Sequence, residues 1–311
     1  MKILFMGTPE FAVPCLDRMV KEGYDVVGVV TQTDKPKGRG KKLTPPPVKE
    51  YALDRQIAVY QPSKLKKADF EETLKAIQPD LIIVVAYGKI LPKYVLEYPP
   101  YGCINVHASL LPKYRGAGPI QWCVINGEEE TGITTMYMDE GLDTGDMILK
   151  KKIAIGRNET AGELHDRLAS LGSEVLKETL EMVVDGKAPR TPQSDSGATY
   201  APMLDKSTAK IDWHKSAKEI KDLVRGVNPW PVAYTYYKDE MMKVWFAEIG
   251  EECKNGIPGT IVKYLKHKGL AVKAGDDCCV LIKEVQFKGG KRMDIDDYLR
   301  GHSIEYGEIL S

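Results

Sequence analysis

The sequence predicts an α/β fold: a doubly wound, mostly parallel sheet followed by a smaller, β-rich domain. The chain opens with a strand, a helix and a second strand, which is typical of parallel sheets covered by helices. The predicted strands of this first part are nearly continuous apolar runs, as expected when both faces of a strand are buried. Beyond residue 206 the pattern changes to short alternating segments separated by turns, which indicates antiparallel strands.

The elements of the first part can be placed in order. Residues 2–6 form a short apolar strand, and Pro9 suits the first position of a helix whose apolar stripe includes Phe11 and Leu16. The further predicted strands are 26–31, 57–60, 81–86, 103–107, 131–138 and 147–155, and the further helices are 48–55, 69–77, 92–96, 117–126 and 160–184. Neither a G-x-G-x-x-G after the first strand nor a G-x-x-x-x-G-K-S/T occurs. The fold is therefore Rossmann-like without a predicted dinucleotide or P-loop site.

The second part begins after a segment of different composition. Residues 187–202 are rich in Pro, Ser, Thr and Asp and show no period, which predicts a linker. We therefore expect domains at 1–187 and 206–311, joined by residues 188–205. The last domain has a predicted helix, and its short strands predict a small OB-like β-barrel. These strands are 233–237, 242–248, 259–265, 270–274 and 278–285.

Composition narrows the functional classes. The 311 residues are 43% hydrophobic and 28% charged, which is typical of a globular protein. Lys plus Arg and Asp plus Glu both number 44, so a nucleic-acid partner must be held by a local patch. No apolar run approaches a membrane span, and we expect no membrane partner. Six cysteines without a Cys-x-x-Cys pair favour reduced thiols and a cytoplasmic location.

The strongest candidate site lies at the end of the strand at 103–107. Asn105 and His107 are two residues apart and therefore share a face of that strand. An amide beside an imidazole offers an oxyanion donor next to a titratable group. Asp143 follows in a glycine-flanked turn that can bring a carboxylate to the pair. The three side chains suit acyl or formyl transfer, although Asn-x-His on a strand can also be a purely structural polar pair.

A second candidate site is the basic segment from Gln32 to Lys49. It holds five lysines and Arg39 against a single acid, Asp34, and glycines and prolines separate them. So long a connection between a strand and a helix is either functional or a solvated loop. Composition alone leaves these two interpretations open.

The motifs together carry a family resemblance. Asn105-Val106-His107-Ala108-Ser109-Leu110-Leu111-Pro112, followed by Gly141-Leu142-Asp143-Thr144-Gly145, resembles the signature of folate-dependent formyltransferases, and the resemblance runs from Met1 to nearly the end of the chain. It is closest to the members that act on tRNA. It implies 10-formyltetrahydrofolate as donor, the α-amine of charged methionyl-initiator tRNA as acceptor, and no metal. Asn105 would donate to the developing oxyanion. His107, paired with Asp143, would either donate to that oxygen or shuttle a proton.

The resemblance also implies binding residues. The folate pocket would be lined by Tyr87, Gly88, Ile90, Leu91, Ser109, Leu110, Leu111, Pro112 and Asp139. In the family, a loop with a Gly-Arg-Gly-Lys-Lys phrase grips the tRNA acceptor end, which implies that Arg39, Lys41 and Lys42 bind tRNA. Residues 1–187 would then be the catalytic domain, and the carboxy-terminal barrel would contact tRNA. We expect the chain to act as a monomer.

Alternative functions remain open from the sequence. Formyltransferases acting on a ribonucleotide or an amino sugar, and formyltetrahydrofolate hydrolases, share the Asn, His and Asp. The basic segment and the extra barrel disfavour the ribonucleotide enzyme, which needs neither. A protein of another class, an RNA-binding module with an idle Rossmann-like half, is disfavoured by the intact set of Asn105, His107 and Asp143.

Overall fold

The computed structural model describes residues 1–37, 40, 42–254 and 256–311, and these form two compact units. The first unit comprises Met1–Pro119, Thr131–Ile153 and His165–Ala201, and the second comprises Ile120–Glu130, Ala154–Leu164 and Pro202–Ser311. The domain boundaries predicted along the chain stay a prediction.

Strands and helices alternate through the first two thirds of the chain. The strands are β1 (Lys2–Gly7), β2 (Asp25–Val30), β3 (Lys35–Lys37), β4 (Lys42–Thr44), β5 (Val59–Tyr60), β6 (Leu81–Val85), β7 (Cys103–His107), β8 (Glu130–Tyr137) and β9 (Met147–Ala154). The helices are α1 (Val13–Lys21), which follows a 3₁₀ turn at Glu10–Ala12, then α2 (Pro47–Asp54), α3 (Lys67–Ile77), α4 (Lys93–Leu96), α5 (Pro119–Ile125) and α6 (Ala161–Val184).

The main sheet of the first unit confirms the predicted mixed α/β fold with a parallel-dominated, Rossmann-like sheet. Its strand order is β5-β2-β1-β6-β7-β8-β9. β1 is parallel to both β2 and β6, β6 is parallel to β7, and β7 is antiparallel to β8. The chain thus proceeds from β1 to one side and later, from β6, to the other. Such a reversal leaves a crevice at the carboxyl ends of the strands, where ligands of open α/β sheets bind.

The central strands of this sheet are held by buried apolar side chains. Ile82 and Val84 of β6 belong to an apolar cluster with Phe70 and Leu74 of α3 and Val95 of α4. α1 buries Leu16 and Met19 on its apolar stripe, as its spacing predicts. This packing makes the strand ends a rigid base for the loops that follow them.

The basic segment, for which the sequence predicted only a long connection, contains two short strands. β3 and β4 form an antiparallel ribbon in which Lys35 pairs with Thr44 and Lys37 pairs with Lys42. Both strands are largely exposed. Their sequence therefore shows no alternation of apolar and polar residues that would predict a strand. Gly38, Arg39 and Lys41 lie outside the described residues.

The second unit contains a separate antiparallel sheet, as predicted. Its sheet order is β10-β11-β14-β13-β12, with all neighbours antiparallel and β15 paired to β14. The strands are β10 (Ala233–Tyr237), β11 (Glu240–Glu252), β12 (Ile261–Leu265), β13 (Gly269–Lys273), β14 (Cys278–Phe287) and β15 (Met293–Asp294), and the helices are α7 (Ala217–Gly226) and α8 (Ile295–Tyr298).

Two local features organise this unit. α7 is capped by Ser216, whose hydroxyl forms a capping box with the Glu219 carboxylate, and it buries Ile220 and Val224 against the sheet. The last residues of the chain lie between two strands. Ser311 exchanges backbone hydrogen bonds with Tyr236 of β10, while residues 307–310 bond to residues 259–261 at the start of β12.

Candidate active site

The strand β7 places Asn105 and His107 at the carboxyl end of the sheet, as predicted. Asn105 pairs in register with Val84 of β6 on one side and Met136 of β8 on the other. The intervening Val106 is buried on the opposite face, and His107 itself is only 6% exposed. The imidazole therefore sits at the edge of the core, while the Asn105 side chain is half-buried.

The turn after β8 carries Asp143 in a constrained backbone conformation. Its φ is 55°, in the left-handed region that non-glycine residues rarely adopt. The turn is closed by Asp139, whose Oδ1 accepts from the Gly141 amide at 3.0 Å and from the Thr144 hydroxyl at 2.7 Å. A Cβ on Gly145 would lie 1.8 Å from the carbonyl oxygen of Tyr137, so this position must be glycine. Asp139 is thus a partner within the turn.

The three predicted catalytic side chains come together in the structure. Asn105 Nδ2 lies 3.4 Å from Asp143 Oδ1, and His107 Nδ1 lies 3.7 Å from Asp143 Oδ2. The shorter contacts of the cluster are made with backbone groups. The Gly116 amide donates to Asp143 Oδ2 at 2.8 Å, and His107 Nε2 lies 2.9 Å from the carbonyl oxygen of Tyr114. The backbone of residues 114–116 therefore fixes both titratable groups.

The imidazole contact assigns one of the two ring protons. A backbone carbonyl can only accept, so His107 Nε2 must carry the hydrogen that it donates to Tyr114. In the neutral ring Nδ1 is then unprotonated and faces the Asp143 carboxylate. Nδ1 is consequently the ring nitrogen whose lone pair is available as an acceptor, 3.7 Å from Asp143 Oδ2.

The turn after β7 is held by polar contacts of its own. Ser109 is fully buried, and its hydroxyl donates to the carbonyl of Lys113 at 2.7 Å. Thr134 of β8 donates to the Ser109 carbonyl at 2.7 Å and accepts from the Leu111 amide at 3.2 Å. Ser109 thereby shapes the chain that leads from His107 to Tyr114.

Residues 191–201, called the strap below, hold this turn from outside and were missed by the sequence analysis. Thr191 exchanges two backbone hydrogen bonds with Met147. The Tyr114 amide donates to the Thr199 hydroxyl at 2.8 Å, and Arg115 makes backbone hydrogen bonds with Thr199 and Ala201. Most of these bonds use backbone groups, so no periodicity in the sequence could reveal them.

The segment after β6 carries four residues that the sequence analysis assigns to the folate pocket: Tyr87, Gly88, Ile90 and Leu91. The Tyr87 side chain is 1% exposed, and burial raises its pKa to about 12, so the phenol stays neutral. The Tyr87 carbonyl accepts from Thr8 Oγ1 at 3.2 Å and from Gln32 Nε2 at 3.0 Å. Gly88 has a φ of 77°, and Ile90 is 86% exposed whereas Leu91 is buried. At the carboxyl end of β6, the loop therefore exposes the Ile90 side chain next to the backbone of Gly88.

One lysine of the basic segment, Lys49, is held by polar side chains and is not a free surface cation. Lys49 Nζ bonds to both Asp34 carboxylate oxygens at 2.9 Å and to Gln61 Oε1 at 2.7 Å. Hydrogen bonds from Gln61 and Lys49 hold the pKa of Asp34 below its usual value. Lys49 thus serves the fold of the segment, whereas Lys42 on β4 is exposed. Arg39 and Lys41, the other predicted tRNA contacts, lie outside the described residues.

Among the residues that the structure describes, no group of three or more His, Cys, Asp or Glu side chains could hold a metal ion. Within the same residues, no helix combines the length and apolar character needed to cross a membrane.

The fold and the site agree with a known class of proteins. A family model described as "Formyl transferase" matches residues 1–180, and one described as "Formyl transferase, C-terminal domain" matches residues 203–303. The chain belongs to the formyltransferase family.

Relatives of the same length are methionyl-tRNA formyltransferases. The chain is 58% identical over 311 residues to that of Acetivibrio thermocellus, covering 100% of this chain and 99% of the relative. It is 55% identical over 310 residues to that of Clostridioides difficile, covering 100% of both chains.

Solved structures share the fold at low identity. A sugar 3N-formyl transferase, WlaRD, solved with dTDP and 5-N-formyl-THF, has a TM-score of 0.69 at 19% identity, covering 94% of this chain and 99% of that one. An N-formyltransferase from Helicobacter canadensis, in complex with folinic acid and dTDP-3-aminofucose, has a TM-score of 0.69 at 20% identity, covering 93% and 100%.

Proposed function

We propose that this protein transfers the formyl group of 10-formyltetrahydrofolate to the α-amine of methionyl-initiator tRNA, in support of translation initiation. The observation that carries the proposal is the identity of more than half of the residues, over the whole chain, with relatives named methionyl-tRNA formyltransferases. The convergence of Asn105, His107 and Asp143 supplies chemistry that fits this reaction.

The reaction assigns a role to each of the three side chains. The amine attacks the formyl carbon, a C–N bond forms, and negative charge develops on the formyl oxygen. Asn105 Nδ2 donates to that oxygen, as amide side chains do in oxyanion holes. His107 takes a proton from the amine at Nδ1, beside Asp143 Oδ2. It returns the proton to the folate nitrogen as the tetrahedral intermediate collapses and the old C–N bond breaks. The assignment of Nε2 to the Tyr114 carbonyl supports this shuttle over direct donation by Nε2.

The folate would bind at the carboxyl ends of β6 and β7. Ile90 and Leu142 are large apolar side chains that are 86% and 56% exposed, on the loops after β6 and β8. Exposed apolar groups beside a polar cluster suit a flat aromatic ligand such as a pterin. We assign to this pocket the backbone of Tyr87, Gly88, Ile90 and Leu91, the turn Ser109, Leu110, Leu111 and Pro112, and Asp139.

The basic ribbon and the second unit would hold the tRNA. Arg39, Lys41 and Lys42 are cations of the basic segment, and such cations can follow a phosphate backbone. Lys42, on β4, is exposed. We further propose that the antiparallel sheet closes into an OB-like barrel. Support comes from residues 307–311, which bond to Tyr236 on one side and to residues 259–261 on the other. Domains at 1–187 and 206–311 would then divide catalysis from tRNA contact, in a cytoplasmic monomer.

The test is direct formylation. The protein is mixed with 10-formyltetrahydrofolate and charged methionyl-initiator tRNA, and formylmethionine and tetrahydrofolate are both measured. The proposal predicts the two products in equal amounts. Tetrahydrofolate without formylmethionine would indicate a hydrolase, and RNA binding with neither product would indicate a non-catalytic module. Parallel reactions with an amino sugar nucleotide test the small-amine alternative. This acceptor is chosen because two of the solved structures that share the fold are sugar formyltransferases.

A further inference from the structure

One strap side chain reaches into the Asp143 turn. Gln193 is half-buried, whereas its neighbours Pro192 and Ser194 are exposed. Its Nε2 donates to the carbonyl oxygens of Asp143 and Gly145, each at 2.8 Å. These two carbonyls belong to the residues on either side of Thr144, so one amide group bridges residues 143 and 145 of the turn.

The opposite end of the Gln193 amide is held by a buried cation. Oε1 accepts from Arg115 Nε at 3.2 Å and from Arg115 Nη2 at 3.0 Å. The Arg115 side chain is 2% exposed, and its Nη1 bonds to Asp195 Oδ1 at 3.0 Å. A flipped amide would turn its amino group toward the guanidinium and its oxygen toward two carbonyls. The contacts therefore define one orientation.

This arrangement bears on the carboxylate of Asp143. The positive φ of Asp143 is unfavourable for a residue with a side chain and persists only where surrounding contacts impose it. The carbonyl of Asp143 belongs to the peptide unit just after its Cα, so fixing that oxygen restrains ψ and the direction of the side chain. From this backbone the carboxylate reaches the Gly116 amide, Asn105 and His107.

We propose that Gln193 is a positioning residue that holds the Asp143 carboxylate in register with Asn105 and His107, and that Arg115 fixes the Gln193 amide for this task. The inference rests on the proposed formyl transfer, and it adds a residue from outside the recognised motifs. Gln193 acts by donating to backbone carbonyls, so an acceptor of the same size cannot replace it. A strap that merely needed attachment to Arg115 would accept such a replacement.

Two variants separate these roles. Gln193→Leu removes the donor and the acceptor at similar size. Gln193→Glu keeps an acceptor for Arg115, with an added charge attraction, but turns an oxygen toward the two carbonyls. Asp195→Ala is the matched control, because it removes a strap contact with Arg115 and leaves Gln193 in place.

The experiment measures kcat, KM for both substrates and Tm for each variant and the wild type. We expect kcat to fall by about 10-fold or more in both Gln193 variants with KM nearly unchanged, since small misplacements of a reacting group have effects of this size. Gln193→Glu should stay folded, because its bond to Arg115 remains, and Asp195→Ala should retain wild-type kcat. Wild-type kcat in Gln193→Glu would overturn the inference, and it decides the matter even if Gln193→Leu fails to fold. A wild-type protein that does not formylate tRNA would instead refute the proposed function.

Discussion

Replacing Asn105 with alanine should separate catalysis from stability. The side chain is half-buried, and its contact with Asp143 Oδ1 is 3.4 Å long, at the outer limit of a hydrogen bond. Asp143 keeps a 2.8 Å bond from the Gly116 amide when Asn105 is truncated. The folded state therefore loses little, and we expect the free energy of unfolding to change by less than about 1 kcal/mol.

The same substitution should reduce the stabilisation of the transition state by much more. If Asn105 Nδ2 donates to the developing oxyanion, its loss should lower the rate roughly 10²- to 10³-fold, or about 2.7–4 kcal/mol of barrier. Asn105→Asp should be at least as slow as Asn105→Ala, because a carboxylate can only accept and adds a negative charge near the oxyanion. The predicted effect on the barrier thus exceeds the effect on stability severalfold.

Single-turnover formylation at saturating substrates isolates the chemical step, and thermal unfolding of the same samples reports stability. The wild type is the reference for both measurements. Near-wild-type single-turnover rates in Asn105→Ala would remove Asn105 from the mechanism. A rate loss matched by an equally large loss of stability would make Asn105 a structural residue instead.

Three further predictions test other parts of the site. A folate analogue should protect residues 85–91 and 139–144 from hydrogen exchange, because both border the crevice at the strand ends; protection confined to the second unit would place the folate elsewhere. Arg39→Ala should lower kcat/KM for charged tRNA by an amount equivalent to roughly 1–3 kcal/mol, without changing folate binding. If the variant and the wild type have the same kcat/KM at every salt concentration, the basic segment is only a solvated connection. Gly145→Ala should destabilise the protein by roughly 1–3 kcal/mol, measured by thermal unfolding, because the new Cβ would lie 1.8 Å from the Tyr137 carbonyl oxygen; an unchanged Tm would show that the turn can relax.

The sequence predicted the sheet well because its signal is strong and local. The strands β1, β2, β6 and β7 are apolar runs bounded by turn residues, and each lies within one or two residues of its predicted place. The shared face of Asn105 and His107 follows from the two-residue repeat of a strand. Asp143 was found through its flanking glycines, one of which the structure requires for close backbone approach.

The sequence could not predict features that depend on tertiary contacts. The β3–β4 ribbon lacks an apolar face, so its pairing leaves no pattern, and Lys49 looked like one more exposed cation although Asp34 and Gln61 bind it. The strap has the composition of a linker, and its attachment to residues 112–118 relies on backbone hydrogen bonds. Gln193 carries no motif, because its partners Asp143 and Arg115 are distant in sequence.

The distances within the cluster suggest how the site combines rigidity with reactivity. The contacts that connect His107 and Asp143 to the backbone, at 2.9 and 2.8 Å, have ideal hydrogen-bond lengths. The contacts among the three side chains are longer, at 3.4 and 3.7 Å. The frame is therefore fixed by backbone groups, whereas the Asn105 amide and His107 Nδ1 are not committed to strong bonds with Asp143. Groups held in place but weakly bonded can form their best hydrogen bonds with charge that develops in the transition state, which is the condition for lowering the barrier rather than only binding the substrate.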